Sequence, residues 1–379
     1  MNFDINQFIR ELEVLVNIDS GFGAPEGISA LEDFFQQRFE AMGWICERPG
    51  PDTPVGRCLV VKNREAEHYD ALLVGHLDTV FPKGEAGKRP FRMDEKRAYG
   101  VGVLDMKQGC LAMLHVLEHL PECANQDLNI TAIFNADEET GSTYSKELID
   151  SYAVKSDYAY VFEAASTDGS CTVQRKGMYR ACVHFHGKAG HSGYLFDGGM
   201  ISAVNELLYW GEKLNTHLSA EKGTSVNIGL IRGGQAVNIV PDYAEMTFEA
   251  RFESTDEYQK LLATLSELKL HAKETGIGIE FTDERATPPM LPDERTLKYV
   301  ERIRALAAAN GIAFKVKKRG GLSDANHIRS CGPICLDGLA PTGDCDHSEW
   351  EYLELSTIDT YLRLVLLILT DLAEEKRKQ

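Results

Sequence analysis

Three carboxylates stand next to one another at Asp137, Glu138 and Glu139, shortly after the apolar run 128–134. Adjacent acidic side chains repel one another, so holding three together is costly unless a cation lies among them. Most acidic triplets are solvated turns, and for this triplet alone the solvated turn is the favoured interpretation. The choice between a turn and a cation site therefore depends on other metal-capable residues.

Other apolar runs of the chain also end in side chains that can bind a metal ion. Residues 71–74 lead to His76 and Asp78, residues 158–162 to Glu163, and residues 333–336 to a loop that contains Asp344, Asp346 and His347. In an open α/β sheet, ligands collect outside the carboxyl ends of the strands. We therefore expect these side chains to form one site at one edge of a sheet.

The expected ligands are two imidazoles and three carboxylates, from His76, Asp105, Glu139, Glu163 and His347. This donor set suits zinc, which binds nitrogen and oxygen ligands, with cobalt or manganese as tolerated substitutes. A two-metal site needs a bridging oxygen ligand. If Asp105 bridges, each of two zinc ions has three protein ligands, and room remains for a shared water.

Two further acids of these segments have positions that suit hydrolysis. Glu138 precedes Glu139, so it can face the substrate and take the proton of an attacking water. Asp78 follows His76 closely and can accept the second N–H of the imidazole, which would fix its tautomer. A single residue of this kind is more often structural, so these roles depend on the whole set.

The composition narrows the class of protein. A hydrophobic content of 43% in 379 residues allows a sizeable core, and this length favours two domains. The 58 acidic and 40 basic residues give a net charge of −18, which disfavours nucleic acid and anionic membranes as partners. The polar amino terminus and the lack of a long apolar run predict a cytoplasmic protein without a membrane segment.

The first and last parts of the chain alternate amphipathic helices with apolar strands, which is the pattern of an α/β fold. One helix is predicted over 29–42, with Ser29 as its N-cap, and a long closing helix over 356–375. We expect residues 1–176 and 287–379 to form a catalytic domain with a mixed sheet and helices on both faces.

Residues 177–286 have a different pattern, in which apolar and polar residues alternate. The alternation begins with Tyr179, Ala181 and Val183, as in a half-buried antiparallel strand. The predicted order of elements is β-α-β-β-α-β, which is that of a ferredoxin-like unit. We therefore expect an inserted α+β domain.

Two competing sites can be discounted from the sequence. The glycine-rich run 100–105 lacks the third glycine and the preceding strand of a dinucleotide fingerprint. Cys331, Cys335 and Cys345 lack the paired spacing of a structural zinc site. The nine cysteines of the chain are irregularly spaced, so we expect free thiols and no disulfide framework.

Seven segments resemble, in the same order, the motifs of the M20 family of zinc peptidases and deacylases. They are residues 75–79, 105–107, 137–142, 162–163, 187–192, 320–326 and 347–348. The resemblance covers nearly the whole chain and is greatest to the glutamate carboxypeptidase (carboxypeptidase G2-like) branch. One departure is Leu322, where the nearest relatives often have glycine in the pocket beside the substrate.

The resemblance implies a role for each matched residue of the site. His76 and Glu163 would hold one zinc ion, Glu139 and His347 the other, with Asp105 bridging and Glu138 as general base. The peptide bond after Asp105 would be cis, as in relatives. The inserted domain would act as a lid and as the surface of a homodimer.

The resemblance also implies contacts with the substrate. His191 matches a lid histidine that, in some relatives, reaches the site of a neighbouring subunit. Asn238 and Arg251 match lid residues that touch the substrate, and an arginine suits a terminal carboxylate. Gly321 and Ser323 would lie beside the substrate.

The expected function is hydrolysis of an amide bond that releases a C-terminal amino acid, with glutamate as a candidate, from a small peptide or an N-acyl amino acid. An N-acyl amino-acid deacylase or a dipeptidase of the same family is the first alternative, since only the pocket would differ. A non-catalytic metal-binding or peptide-binding protein is the second, and the intact base and ligands disfavour it.

Overall fold

The computed structural model describes residues 3–50, 53–194 and 199–378, which form two compact units. The first unit runs up to Gln174, takes in Pro292–Arg319 and resumes at Ser323; the second contains Arg175–Leu291 and Gly320–Leu322. The second unit is slightly longer at both ends than the predicted insert 177–286. It also includes the glycine turn, whose Gly321 carbonyl accepts a hydrogen bond from Nη1 of Arg175 at 3.0 Å.

The helices of the described residues have well-defined ends. In chain order they are α1 Ile5–Val16, α2 Pro25–Ala41, α3 Glu85–Lys88, α4 Lys107–Glu118, α5 Glu122–Asp127, α6 Lys146–Ala153, α7 Ala203–Asn215, α8 Thr255–Thr275, α9 Glu294–Ala309, α10 Ala325–Ser330 and α11 Ile358–Lys378. The predicted N-cap at Ser29 is wrong, because α2 already begins at Pro25, whose fixed φ suits a first helical turn. None of the helices in the described ranges has both the length and the apolar character that a membrane span requires.

The described ranges also contain strands of two to ten residues. In chain order they are β1 Ile45–Glu47, β2 Leu59–Lys62, β3 Tyr69–His76, β4 Arg92–Met93, β5 Arg97–Tyr99, β6 Ile130–Asn135, β7 Ser156–Val161, β8 Ser170–Arg175, β9 Gly177–His186, β10 Gly190–His191, β11 Ser225–Gly233, β12 Ile239–Val240, β13 Tyr243–Phe252, β14 Gly278–Thr287, β15 Lys315–Arg319, β16 Ile334–Leu336, β17 Gly343–Asp344 and β18 Tyr352–Glu354.

The central sheet of the first unit has six strands in the order β1-β2-β6-β3-β7-β16. Strands β6, β3, β7 and β16 are parallel, whereas β2 is antiparallel to both of its neighbours. Every residue of β3 and β6 is buried, and because successive side chains point to opposite faces, both faces of the sheet are covered. Helix α2 packs on β1 and β2, α4 on β3, and α6 on β3 and β7, and the predicted mixed α/β fold is confirmed.

Helix α4 is the central helix of the first unit. It is buried from Lys107 to Leu117 and packs against β3, α1 and α11. Leu111 and Leu114 are fully buried, and each such leucine stabilises the fold by roughly 1.5–3 kcal/mol relative to an exposed position. This packing fixes the start of α4, and with it the preceding residue pair Asp105 and Met106.

The second unit has the predicted β-α-β-β-α-β order, formed by β9, α7, β11, β13, α8 and β14. Its sheet has the order β11-β13-β9-β14, and all neighbours are antiparallel. The first and third strands along the chain therefore lie at the centre, as a split βαβ unit requires. Buried residues alternate with less buried ones along β13, and the buried face packs with Trp210 and Leu265.

Candidate metal centre

Three predicted ligands lie at one edge of the central sheet because their strands are parallel neighbours. His76 is the last residue of β3, Glu139 lies in the 3₁₀ turn Glu138–Thr140 that follows β6, and Glu163 follows β7. The order β6-β3-β7 places these carboxyl ends side by side. Short connections after the strands are thus sufficient to bring the three side chains together.

Asp105 lies between the two predicted histidine ligands. Its Oδ1 is 3.2 Å from Nε2 of His76, and its Oδ2 is 3.0 Å from Nε2 of His347. Nε2 of His76 also lies 3.6 Å from Oε1 of Glu163, and Nε2 of His347 lies 3.3 Å from Oε2 of Glu139. The five residues therefore form two histidine–glutamate pairs, with one oxygen of Asp105 turned to each.

The donor set of this cluster fits metal ions. Ligand atoms of His76, Asp105 and Glu139 all lie within 4.8 Å of one another, as do those of Asp105, Asp346 and His347. Oε1 of Glu139 is buried and has no hydrogen-bond partner among the described residues. A buried carboxylate oxygen without a partner is costly, and a cation among these oxygens removes that cost.

The pKa values of the cluster reflect acids and imidazoles held close together. Burial alone would raise the pKa of Asp105, but its hydrogen bonds with His347 and His76 outweigh burial and lower that pKa. Hydrogen bonds with Asp105 and Glu139 raise the pKa of His347 to about 11. Burial raises the pKa of Glu138 well above its usual value. The carboxylates of the site thus favour a positive charge beside them, which a bound cation would also supply.

Asp78 contacts both the His76 ligand and the segment that carries the proposed base. Nδ1 of His76 lies 3.0 Å from the backbone oxygen of Asp78 and 3.2 Å from its Oδ1. The backbone N–H of Glu138 donates to Oδ1 of Asp78 at 3.2 Å, and that of Glu139 donates to Oδ2 at 2.9 Å. The sequence predicted the histidine contact but not the contacts with the two glutamates.

Glu351 is a second buried acid at the site, and sequence reasoning missed it. Its Oε1 accepts hydrogen bonds from the backbone N–H groups of Leu104 at 2.8 Å and Asp105 at 3.0 Å, and its Oε2 accepts one from Gly102 at 3.1 Å. Glu351 therefore holds the loop that presents Asp105. Nothing in the sequence distinguishes Glu351 from the exposed Glu349 in the same segment, so no sequence pattern predicted this role.

Two backbone features occur at the ligands. The peptide bond between Asp105 and Met106 is cis, as the family resemblance predicted. His347 has a φ of 59° in the left-handed region, which is uncommon for a residue with a side chain. Its imidazole is about half exposed, whereas that of His76 is buried. The two histidines thus differ in access to solvent.

Gly321 and Ser323 lie on either side of the boundary between the units. Ser323 belongs to the first unit, where its hydroxyl donates to Oδ2 of Asp337 at 2.8 Å and accepts from the N–H of Ala325 at 3.2 Å. Gly321 belongs to the second, where its carbonyl is held by Arg175. The serine side chain is buried, so its contacts here are structural.

His191, Asn238 and Arg251 all lie in the second unit. The short ladder of β10 and β12 pairs His191 with Ile239, so His191 and Asn238 are exposed neighbours. Arg251 donates from Nε to Oε1 of Glu249 at 2.7 Å and from Nη1 to the carbonyl of Gly320 at 3.2 Å. Their contacts with a substrate stay a prediction.

The nine cysteines are free thiols, as predicted. Cys335 is buried and Cys345 is exposed. Within the described ranges, the clusters of metal-capable side chains contain no cysteine. The alternative of a structural zinc site at these cysteines is therefore not supported.

Known proteins resemble this chain along most of its sequence. A family model described as peptidase family M20/M25/M40 matches residues 72–371. Carboxypeptidase G2 of Pseudomonas sp. (strain RS-16) is 30% identical over 373 residues, which cover 97% of this chain and 90% of that protein. Succinyl-diaminopimelate desuccinylase of Wolinella succinogenes is 25% identical over 318 residues, or 80% of this chain and 84% of that protein.

Solved structures share the fold. Aminopeptidase PepT from Bacillus cereus ATCC 10987 matches with a TM-score of 0.76 and 21% identity, over 98% of this chain and 99% of that one. A dinuclear metal-binding peptidase from Bacillus subtilis matches with a TM-score of 0.68 and 13% identity, over 98% of each chain.

Proposed function

Since this chain belongs to peptidase family M20 and is a metal-dependent hydrolase of amide bonds, we propose that it releases a C-terminal amino acid. The proposed substrate is a small peptide or an N-acyl amino acid, and glutamate is the first candidate for the released residue. The observation that carries the proposal is the placement of Asp105, whose two oxygens face His76 and His347. The identity of 30% with carboxypeptidase G2, over nearly the whole length of both chains, supports the carboxypeptidase reaction.

The ligands are assigned from the two histidine–glutamate pairs. His76 and Glu163 would hold one ion, Glu139 and His347 the other, and Asp105 would contribute one oxygen to each. Zinc is the proposed metal because imidazole and carboxylate are its usual ligands, with cobalt or manganese as substitutes. When bound, the metal supplies Lewis-acid activation of water and of the substrate carbonyl.

Glu138 is the proposed general base. It lies partly buried in the 3₁₀ turn after β6, where its backbone N–H donates a hydrogen bond to Asp78. From this position its carboxylate takes a proton from the attacking water and then donates it to the leaving amine nitrogen. Because Glu138 is not assigned as a ligand, its role can be separated from metal binding by experiment.

A substrate panel tests the proposed reaction. Purified protein is assayed against folyl-glutamate, N-acyl amino acids and dipeptides, before and after treatment with a chelator and after addition of zinc, cobalt or manganese. The proposal predicts release of the C-terminal residue, loss of release with chelator and recovery with metal. Metal binding without hydrolysis of any member of the panel would instead support a non-catalytic binding protein.

An N-acyl amino-acid deacylase is the second candidate. The observation that favours it is the 25% identity with succinyl-diaminopimelate desuccinylase over 80% of this chain. Such an enzyme would use the same ligands and base, and only the pocket would differ. A kcat/KM for N-acyl amino acids that exceeds the value for folyl-glutamate would favour the deacylase over the carboxypeptidase.

The second unit is proposed to act as a lid and as the surface of a homodimer. His191, Asn238 and Arg251 would contact the substrate there, with the arginine on its free carboxylate. These assignments, and the cytoplasmic location expected from the sequence, stay predictions. Sedimentation of the purified chain tests the dimer, and the KM of Arg251→Ala for a substrate with a free carboxylate tests the arginine.

A further inference from the structure

The segment that carries Glu138 and Glu139 is held at both ends by one buried carboxylate, that of Asp324. At the end of β6, Nδ2 of Asn135 donates a hydrogen bond to Oδ2 of Asp324. After the 3₁₀ turn, the hydroxyl of Ser142 donates to Oδ1 of Asp324 at 2.5 Å. Asp324 therefore joins the two ends of residues 135–142 across a buried position.

The side chain of Asp324 does not cap the helix that it precedes. It occupies the N-cap position of α10, where an aspartate side chain commonly accepts a hydrogen bond from the first helical turn. Among the described residues, which include all of α10, the Asp324 side chain makes no such bond. One of its oxygens instead accepts a hydrogen bond from Asn135, and the other accepts one from Ser142 and faces His327 of α10. The carboxylate therefore joins segment 135–142 to α10.

His327 balances the charge of Asp324. Its Nε2 lies 3.0 Å from Oδ1 of Asp324, and its Nδ1 lies 2.6 Å from Oδ1 of Asp150. Because each ring nitrogen faces a carboxylate, both nitrogens can donate only when the imidazole is protonated. Burial would lower the pKa of His327, but these two carboxylates raise it to about 9. A buried carboxylate with a cationic partner costs far less than an unpaired one.

Ser142 shows why the segment needs this support. Its φ of 52° lies in the left-handed region, which a residue with a side chain adopts at a cost of roughly 1–2 kcal/mol. Its N–H donates to the carbonyl of Asp137 at 2.8 Å, so Ser142 closes the turn that contains the two glutamates. A hydrogen bond from the Ser142 hydroxyl to Asp324 stabilises this conformation.

We propose that Asp324 is a positioning residue for the hydrolytic site: it fixes both ends of residues 135–142 and thereby sets the orientation of Glu138 and Glu139, while His327 neutralises its charge. The catalytic part of this inference rests on the proposed function, since it assumes that Glu138 is the base. The structural part, that Asp324 orders the segment, does not depend on that function.

Three variants test the proposal: Asp324→Asn, Ser142→Ala and, as a matched control, Ser330→Ala. The control removes a hydroxyl from α10 that donates to the carbonyl of His327 and does not contact Asp324. We expect Asp324→Asn and Ser142→Ala to lower kcat about 10–100-fold with KM changed less than about threefold. The double variant should lose less than the product of the two single losses, because both changes act on the same group of hydrogen bonds.

Amide hydrogen exchange of the metal-free protein gives a readout that is independent of activity. In Ser142→Ala and Asp324→Asn, we expect faster exchange in residues 136–142, with β3 and β7 unchanged; Ser330→Ala should match the wild type. If the wild type shows no hydrolysis but the exchange differs as expected, the proposed function fails and the structural role of Asp324 stands. If exchange in residues 136–142 is unchanged in Ser142→Ala, the positioning role is wrong, even where Asp324→Asn does not fold.

Discussion

The backbone N–H of Glu139 donates a 2.9 Å hydrogen bond to Oδ2 of Asp78. Asp78 follows β3 and Glu139 follows β6, so this bond joins the ends of two neighbouring parallel strands. The other oxygen of the same carboxylate lies 3.2 Å from Nδ1 of His76. One carboxylate therefore sets the relative position of two proposed ligands, one from each strand.

Asp78→Ala is expected to weaken both metal binding and turnover. The change removes the acceptor of two backbone N–H groups and one of the two Asp78 oxygens that face Nδ1 of His76, so we expect metal affinity or kcat to fall about 10–100-fold. Asp78→Asn keeps one acceptor oxygen and should lose less. Zinc titration and steady-state kinetics measure the effect, with the exposed Asp33→Ala as control. Equal losses in the two Asp78 variants would contradict the hydrogen-bond explanation.

Glu138→Ala is expected to abolish turnover while metal content stays near that of the wild type. The proposed base takes and returns a proton, and loss of a general base typically costs about 10²–10⁴-fold in rate. Glu138 is not a ligand in the proposed assignment, so metal should still bind. Metal analysis beside kcat measures both effects, and exposed Glu147→Ala is the control. A wild-type rate in Glu138→Ala would show that the base is misassigned.

Glu351→Ala is expected to destabilise the fold around Asp105. Without its carboxylate, the N–H groups of Gly102, Leu104 and Asp105 lose their acceptor, and each buried unpaired donor costs about 1–3 kcal/mol. Urea unfolding of the metal-free protein measures the loss, and Glu351→Gln, which keeps one acceptor oxygen, should be intermediate. The exposed Glu349→Ala should match the wild type. Equal stability of Glu351→Ala and Glu349→Ala would refute the assignment.

The ligands that follow strands could be predicted because sheet geometry is regular. Apolar runs before His76 and Glu163 predict buried strands, and parallel strands end at a common edge. Asp105 and His347 were expected as ligands from their residue types, although no long apolar run leads directly into either, and the family resemblance gave the same roles.

Asp324 and Glu351 could not be predicted because their partners are distant in sequence. The contact between Asp324 and Asn135 joins residues 189 positions apart. Hydrophobic periodicity describes only the face that a residue occupies within its own element. A buried acid that accepts hydrogen bonds from a remote loop carries no such periodic signal, and Glu351 is of the same type as the exposed Glu349 nearby.

Removal of metal is expected to lower the free energy of unfolding, with a separate contribution from each of the two proposed sites. A ligand that binds only the folded state adds roughly 2.7 kcal/mol per site at a free concentration of 100 times Kd. Zinc should therefore stabilise the wild type through two sites, and His347→Ala, which lacks one histidine–glutamate pair, through one. Thermal unfolding with increasing free zinc measures both proteins, with His186→Ala as an exposed-histidine control. The same zinc-dependent stabilisation in His347→Ala and the wild type would contradict the assignment of His347.

The charged state of His327 is expected to make stability depend on pH above neutrality. Burial lowers the pKa of His327, but Asp150 and Asp324 outweigh it and raise the pKa to about 9, against an ordinary value of 6.5. A histidine with a raised pKa in the folded state contributes stability that is fully present below pH 6.5 and is lost as pH rises to about 9. The difference between the two pKa values corresponds to about 3 kcal/mol of unfolding free energy.

Other groups that titrate between pH 6.5 and 9 should contribute the same pH dependence to the wild type and to a variant that lacks only the imidazole of His327. Urea unfolding from pH 6 to 9.5 should therefore show a steeper decline in the wild type than in His327→Gln, with the two curves converging at high pH. Parallel curves would mean that His327 is neutral in the folded protein, and Asp324 would then need another source of positive charge.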